Sequence, residues 1–360
     1  MNPYALWAWP WTSSIEVYQR LLDSLGEASG AADAARDAAP GEIEIEWLTP
    51  SSVRLDLDMV RLRQFSEPKE AEPPLLIVAP YSLHDGGFLD LAPGHSLVQS
   101  LKSNGCDRVF LVEWKPATPA MRDYGVDSQL ALLNVAIDEI GQPVDLVGLC
   151  QGGWLSLVYA ARFPKKVRKL VLAAAPIDTQ AAPSALAAPG KPLNDAIVDS
   201  LLKLGDGLAL GRHISKLWTR ETDKTARFIA ALQLSGPPAT QSERELVEKF
   251  NRWDHRLLDL PGVYYRQIAE WLYEENRLVA GTFPALGRAV DLSALRCPLF
   301  LLAGAEDVIV PAAQLLALVS HVAADLEIET ALAPCSHLAL FMGRRALSEE
   351  WPRIAQWLAK

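Results

Sequence analysis

The feature that most narrows what this chain can fold into is the stretch from Val144 to Tyr159, Val-Asp-Leu-Val-Gly-Leu-Cys-Gln-Gly-Gly-Trp-Leu-Ser-Leu-Val-Tyr. It reads as a short apolar strand, a turn that only small residues allow, and then a helix. At its centre Gly148-Leu149-Cys150-Gln151-Gly152-Gly153 has the form of the G-x-S-x-G nucleophile elbow with cysteine at the serine position. Such an elbow holds its nucleophile on a strained strand-to-helix turn, where a Cβ at the flanking glycines would strike the neighbouring strand or helix. The turn presents the sulfur above the sheet edge, at a helix N-terminus whose dipole favours a thiolate. A buried, inert cysteine in a glycine-rich strand–helix corner shares this local pattern. The rest of the chain has to decide between the two.

Continuous apolar runs at 75–79, 109–113, 144–149, 169–174, 299–303 and 326–331 alternate with helical segments. Strands buried on both faces and joined by crossover helices imply a parallel sheet. Ahead of them, 42–48 and 53–65 alternate apolar and charged residues around Thr49-Pro50-Ser51-Ser52, which predicts an antiparallel hairpin with one wet face. A hairpin feeding a parallel sheet, with the elbow after the third parallel strand, is the order of an α/β-hydrolase fold. Between Pro176 and about Asp291 the βα rhythm stops. The patterns at 201–210, 225–234, 243–250 and 263–277 are helical, without strand runs, and predict a helical cap over the C-terminal edge of the sheet. The expected organisation is an N-terminal helix and linker at 1–40, a core at 41–178 and 291–360, and a cap insertion at 179–290. Trp218, Trp253, Tyr264, Tyr265, Trp271 and Tyr273 either line an apolar channel in the cap or form its own core, and core is the better reading for most of them.

Charge and composition exclude several classes. A net charge of −10 and a pI near 5.2, with no basic run, argue against a nucleic-acid binder. The N-terminal 11 residues carry no basic region and their apolar run is cut by proline, so they do not read as a secretory signal. No apolar stretch approaches the roughly 20 residues that span a bilayer. Cys106, Cys150, Cys297 and Cys335 lack metal-ligand spacing and read as free thiols of a reducing cytoplasm. No metal site, phosphate loop or dinucleotide fingerprint is present, which predicts no bound cofactor. In the first 26 residues three tryptophans precede an amphipathic pattern (Ile15, Tyr18, Leu22, Leu25) capped by Ser13 and Glu16, and 27–40 is an Ala/Gly/Asp-rich linker. That helix either docks on a partner or packs on the protein's own body, the latter being the simpler reading.

A thiol with an ordinary pKa of about 8.5 needs a base at neutral pH, and the base needs an orienting carboxylate. Of the histidines after Cys150 (His213, His255, His321 and His337), only His337 follows the last strand and precedes a terminal helix. The acid should sit just past the preceding strand, where Asp307 stands with Glu306 as its rival. The chain order Cys150, Asp307, His337 is the one this fold uses. The oxyanion hole calls for two N–H donors: one is the backbone of Gln151, and the other comes from the loop after 75–79, around Ser82. His84 and Asp85 on that loop either touch substrate or turn the chain ahead of Gly86-Gly87, and His95 opens the next helix. Cys335 is a packing thiol, or the partner of Cys150 in an inactivating disulfide.

At these residues the chain resembles the polyhydroxyalkanoate synthases, most closely the short catalytic subunit of the two-subunit type, from about Pro74 to Leu358. Gly148–Gly153 is similar to the cysteine "lipase box" of that family. Leu260-Pro261-Gly262-Val263-Tyr264-Tyr265, Tyr273-Glu274-Glu275-Asn276-Arg277-Leu278, Val290-Asp291-Leu292 and Cys297-Pro298-Leu299 resemble its run from cap back to core. Asp307 with Val310-Pro311 matches its catalytic aspartate segment, and His337 its catalytic histidine.

The resemblance implies that Cys150 takes a 3-hydroxyacyl group from a coenzyme A thioester and passes it to the hydroxyl of another unit, with Asp307 helping to activate that hydroxyl. It also implies a polyester product, a granule surface or helical second subunit as partner, and a homodimer as a further form of assembly. Val308 stands where the family has histidine, Leu83-His84-Asp85-Gly86-Gly87 replaces its asparagine-arginine-proline-tyrosine loop, and Trp253-Asp254 only partly echoes its tryptophan segment. With His84 and Trp253 as substrate-contact residues, these departures fall around the pocket. They leave a depolymerase, esterase or thioesterase with water as acceptor as the alternative activity. A non-catalytic granule- or partner-binding protein on the same fold is the third reading.

Overall fold

The computed structural model describes residues 45–65, 73–141, 143–184, 195–218, 224–234 and 236–360. The expected N-terminal helix, its linker and the first residues of the expected hairpin lie outside them. Eight strands build one sheet: β1 Ser52–Asp56, β2 Val60–Gln64, β3 Leu75–Val78, β4 Val109–Trp114, β5 Val144–Leu149, β6 Val167–Ala173, β7 Leu299–Gly304 and β8 Ile328–Ala333. Their spatial order is β1-β2-β4-β3-β5-β6-β7-β8. Pairing is antiparallel on both sides of β2 and parallel from β4 to β8. Every residue of β3, β4, β5 and β7 is buried, because helices cover both faces, and that is why these runs are apolar without alternation.

The hairpin differs from its expected position. Both of its strands lie inside the second alternating stretch, turning at 57–59, where the Leu57 N–H donates to Val60 O at 2.9 Å. Alternation changes phase at the adjacent Met59 and Val60, which is the trace the turn leaves in the sequence, while Thr49-Pro50-Ser51-Ser52 is the stronger turn signal. The expected turn is used elsewhere: the Thr49 N–H and hydroxyl both donate to the buried Asp90 carboxylate, at 2.7 and 2.9 Å. Ser96 donates to the same carboxylate at 2.5 Å and also caps the helix Leu97–Ser103. The helix thus begins after His95, which sits in a short strand.

Between β6 and β7 lie the helices Asp195–Leu204, Gly211–Trp218, Lys224–Leu232, Gln241–Asp254 and Gly262–Gln267, the last continuing into a π-helical segment, Ile268–Glu274. Two expectations change here. The pattern at 201–210 is not one helix: it stops at Leu204, and Leu208–Ala209 pairs antiparallel with Leu260–Pro261. Gly205 and Gly207 enforce that break, since a Cβ on Gly205 would stand 2.0 Å from Leu208 O and Gly207 has φ 88°. The segment is therefore not strand-free, and Pro284–Ala285 with Arg288–Ala289 adds a second small antiparallel pair. Buried Asn276, at φ 52°, ties the two ends of the segment together. Its amide donates to Asp178 Oδ1 at 2.8 Å, and its carbonyl accepts from the Thr179 N–H at 3.1 Å. Among the described residues no helix is long and apolar enough to cross a membrane.

The elbow helix Gln151–Arg162 starts against the end of β3 at a separation that excludes any side chain. A Cβ on Gly152 would lie 2.2 Å from Val78 O and 2.7 Å from Ala79 O, both of them backbone atoms. Gly152→Ala therefore has to push the helix off the sheet, and we expect a loss of at least about 1–3 kcal/mol in urea unfolding together with loss of activity. A variant as stable as the wild type would mean that the helix start is not held there.

Candidate active site

The site is assembled where β5, β7 and β8 end. After β5 the backbone turns at Cys150 with φ 49° and ψ −116°, a conformation that costs a non-glycine residue of the order of 1–3 kcal/mol. The turn is held on both sides: the Cys150 N–H donates to Ala173 O, and its carbonyl accepts from the Gly153 N–H, each at 2.9 Å. Gly148 and Gly153 let the helix close on the strand, since a Cβ on the first would meet Gly153 Cα at 2.7 Å and one on the second Ala175 Cβ at 2.4 Å. The sulfur stands at the start of the helix Gln151–Arg162, with its side chain almost fully covered.

Asp307 lies in the turn after β7. Its Oδ1 accepts from the backbone N–H groups of Ile309 and Val310 at 2.9 and 2.8 Å, which fixes the carboxylate plane. Its Oδ2 accepts from His337 Nδ1 at 2.7 Å. His337, in the turn after β8, also faces Cys150, whose charge and hydrogen bond both act on the imidazole. Phe341 packs edge-on against the imidazole, with ring centroids 5.4 Å apart. Burial pulls the imidazole pKa down, but the charges of Asp307 and Cys150 and the hydrogen bonds to both outweigh it. The net effect pushes the value from 6.5 up to about 10. The three residues expected from chain order are thus brought together, and Glu306, the rival acid, is exposed.

Gln151 is oriented through its side chain. Its amide nitrogen donates to the Tyr273 hydroxyl at 2.7 Å, and its amide oxygen accepts from the Trp154 indole N–H at 2.5 Å. As the first residue of the helix it has a backbone N–H with no intrahelical acceptor, the property an oxyanion donor needs. Ser82, half-buried, follows three residues after Ala79, whose carbonyl presses on the elbow at Gly152. Tyr81 anchors that loop. Its carbonyl accepts from the Tyr264 hydroxyl at 2.9 Å, and its ring lies between Trp114 and Tyr264 at centroid distances of 5.2 and 5.4 Å.

His84 and Trp253, expected at the substrate, join the segment between β6 and β7 to this loop. Trp253 is 1% exposed and packs against His84, Phe88 and Phe250, with its indole N–H on Asp85 O at 3.0 Å. His84 Nδ1 lies 3.4 Å from Arg256 O, and Nε2 is 3.9 Å from Asp254 Oδ1. Tyr264 and Tyr265 are buried and Tyr273 is half-buried close to the site, and desolvation raises the hydroxyl pKa of Tyr264 and Tyr273. Cys335 is a free thiol, pushed up to about 12 by burial and by the charges of Asp307 and Glu306, so it packs as a neutral group. Sequence reasoning missed the Gln151–Tyr273 bond and the Asp85–Arg256 contact. Both join residues far apart in the chain, and neither leaves a local pattern. Among the described residues no group of three or more His, Cys, Asp or Glu side chains is placed to hold a metal ion.

A family model described as alpha/beta hydrolase fold matches residues 112–343. Curated relatives include the poly(3-hydroxyalkanoate) polymerase subunit PhaC of Synechocystis sp., 29% identical over 87% of this chain and 85% of that protein. The subunit of the same name from Haloferax mediterranei is 26% identical over 98% of this chain and 72% of its own length. The one from Allochromatium vinosum is 27% identical over 86% and 88%. Among solved structures, the Paleococcus ferrophilus monoacylglycerol lipase superposes with a TM-score of 0.54 at 16% identity, covering 83% of this chain and 98% of that one, which is a likeness of fold.

The raised imidazole pKa has a sign that can be checked. A group whose folded-state pKa lies above its unfolded value near 6.5 contributes stability that is complete below 6.5 and is lost as pH climbs through about 10. The stability gap between wild type and His337→Gln in urea should therefore narrow as pH rises from about 6 to 9, by at most about 1.4 kcal/mol per pH unit. A gap that widens over that range would contradict the charged pair.

Proposed function

The chain belongs to the α/β-hydrolase family, and we propose that within it the protein works as a polyhydroxyalkanoate synthase-type acyltransferase using Cys150, His337 and Asp307. The observation that carries this reading is the continuous hydrogen-bonded line from the elbow sulfur through His337 to Asp307, in a chain whose curated relatives are polymerase subunits over most of their length.

His337 takes the proton of Cys150, and the thiolate attacks the carbonyl carbon of a 3-hydroxyacyl-coenzyme A thioester. The backbone N–H of Gln151 and a donor from the loop around Ser82 face the oxygen that becomes negative. Collapse of the tetrahedral intermediate breaks the bond to coenzyme A sulfur, and the His337 imidazolium returns its proton to that leaving thiolate. The acyl group is now a Cys150 thioester. Exchange of one thioester for another is nearly thermoneutral, so it stays activated for transfer. In the second half, the hydroxyl of another hydroxyacyl unit attacks this thioester, its proton passes to His337, and Cys150 leaves as thiolate.

Both oxygens of Asp307 are already engaged, one by two backbone N–H groups and the other by His337. That geometry favours His337 as the base for the incoming hydroxyl, with Asp307 orienting it and stabilising its charge. Cys150, Asp307 and His337 are 7%, 5% and 8% exposed, which limits the water that competes with the hydroxyl for the acyl-enzyme. A helical second subunit, a polyester granule surface and homodimerisation belong to the same proposal. Size-exclusion chromatography of the isolated chain with and without substrate tests the last of these.

The deciding experiment follows coenzyme A thiol release and product mass together from 3-hydroxybutyryl-coenzyme A. Wild type should release the thiol and build oligomers, and Cys150→Ala should lower the rate by about three orders of magnitude or more. Free 3-hydroxy acid as the sole product would replace the acyltransferase by a hydrolase. Full turnover by Cys150→Ala would remove Cys150 from the chemistry.

A further inference from the structure

An ion pair outside the catalytic line joins the segment between β6 and β7 to the loop after β3. Arg256 Nε and Nη2 donate to the two oxygens of Asp85, at 2.6 and 3.1 Å, in a two-pronged contact. The Asp85 side chain is 1% exposed and that of Arg256 27%. Asp85 has further partners: Oδ1 accepts from the Gly87 N–H at 2.8 Å and caps the turn Gly86–Leu89. Its backbone carbonyl accepts from the Trp253 indole. On either side, the Leu258 N–H donates to Leu83 O at 2.8 Å and His84 bridges to Leu257. No room is left at the crossing, where a Cβ on Gly87 would be 2.8 Å from Asp85 Oδ1 and 2.9 Å from Arg256 Nη2.

One line runs from this contact toward the reacting atoms. Toward the chain start, Asp85 lies three residues from Ser82, on the loop that supplies the second oxyanion donor. An ion pair with one buried and one partly exposed partner contributes little net stability, since the carboxylate has been desolvated and the guanidinium still meets water. This one supplies a defined position for the loop, because a two-pronged guanidinium–carboxylate contact tolerates only one geometry.

We propose that Asp85 and Arg256 are positioning residues for acyl transfer to Cys150: together they latch the segment between β6 and β7 onto the oxyanion loop, and the oxyanion hole is complete only while that latch is closed. This rests on the reading of Cys150 as the acyl acceptor.

The test compares two reactions of the same sulfur. Alkylation of Cys150 by iodoacetamide is a displacement at a saturated carbon and uses the Cys150–His337–Asp307 line without an oxyanion hole. Acyl transfer, followed with 3-hydroxybutyryl-coenzyme A and in parallel with p-nitrophenyl butyrate, uses both. Arg256→Ala and Asp85→Asn should lower kcat for acyl transfer on the order of 10²-fold, with KM little changed and the alkylation rate within about 2-fold of wild type. Arg256→Lys, which keeps one donor, should recover part of the loss.

Acyl transfer and alkylation falling together would overturn the proposal, because the substitution would then have disturbed the catalytic line or the fold. An unchanged kcat would overturn it as well. If the wild type turns over the ester but not the thioester, the proposed substrate class fails, and the latch is judged on the ester by the same comparison.

Discussion

Backbone-to-backbone contact between the first turn of the helix Gln151–Arg162 and the end of β3 is the constraint on which the remaining architecture depends. The helix can begin there only because Gly152 has no side chain to place against Val78 O and Ala79 O. That approach forces the chain through the positive φ of Cys150 at the start of the helix. Packing one turn further along the same helix offsets the strain. Trp154 is fully buried, packs on Phe283 at 5.6 Å between centroids, and uses its indole N–H to hold Gln151. Packing and the placement of Cys150 are therefore one event: the side chain that anchors the helix also orients Gln151, the residue proposed as an oxyanion donor.

Around this point the structure satisfies its polar groups by crossing between sequence-distant segments. Tyr264 reaches Tyr81, Tyr273 accepts from Gln151, Arg256 clasps Asp85, and Asn276 closes on Asp178 and Thr179. The first three of these join the segment between β6 and β7 to the loop after β3 or to the start of the elbow helix, and the Asn276 bonds close the two ends of that segment on each other. Buried hydroxyls and amides are costly when unpaired. Displacing the helical segment would break several such bonds at once, so it is held to the core as a unit. The π-helical segment Ile268–Glu274 contributes to this, because its wider turn carries Tyr273 to Gln151 within a stretch that ordinary helical periodicity would read as a plain continuation.

Much of this was legible in the residues. The apolar runs located six strands of the sheet to within two residues, and the order Cys150, Asp307, His337 identified three side chains that the fold brings into hydrogen-bonding contact. These features are local: strand burial leaves continuous apolar runs, and elbow glycines are set by sterics over a few residues. The hairpin turn was misplaced because Thr49-Pro50-Ser51-Ser52 outweighed the phase shift at Met59-Val60, and the helix at 201–210 was overextended because Gly205 and Gly207 were not given the weight of a stop. His84 and Trp253 were expected at the substrate with chain-turning and cap packing as alternatives, and the contacts they make here are with each other, Asp85 and Arg256. Contacts such as Arg256 with Asp85, 171 residues apart, depend on tertiary geometry that no window of sequence contains.

The chain order of the three proposed catalytic side chains also has a consequence for biosynthesis. Cys150 belongs to the first half of the chain, but Asp307 and His337 lie on turns after the last two strands, and β7 must pair with β6 before either turn exists. A growing chain that has exposed β3 to β6 can already form the strand–helix corner and bury Trp154, yet its thiol has neither its proton acceptor nor the carboxylate behind it. Domains begin folding from the N-terminus during synthesis, at about 5–20 residues per second, so the cysteine waits roughly ten seconds or more beside the ribosome in an ordinary, weakly nucleophilic state. Reactivity is switched on by the arrival of the C-terminal strands. On the proposed chemistry, a chain still missing its last two strands holds the thiol without the imidazole that would deprotonate it.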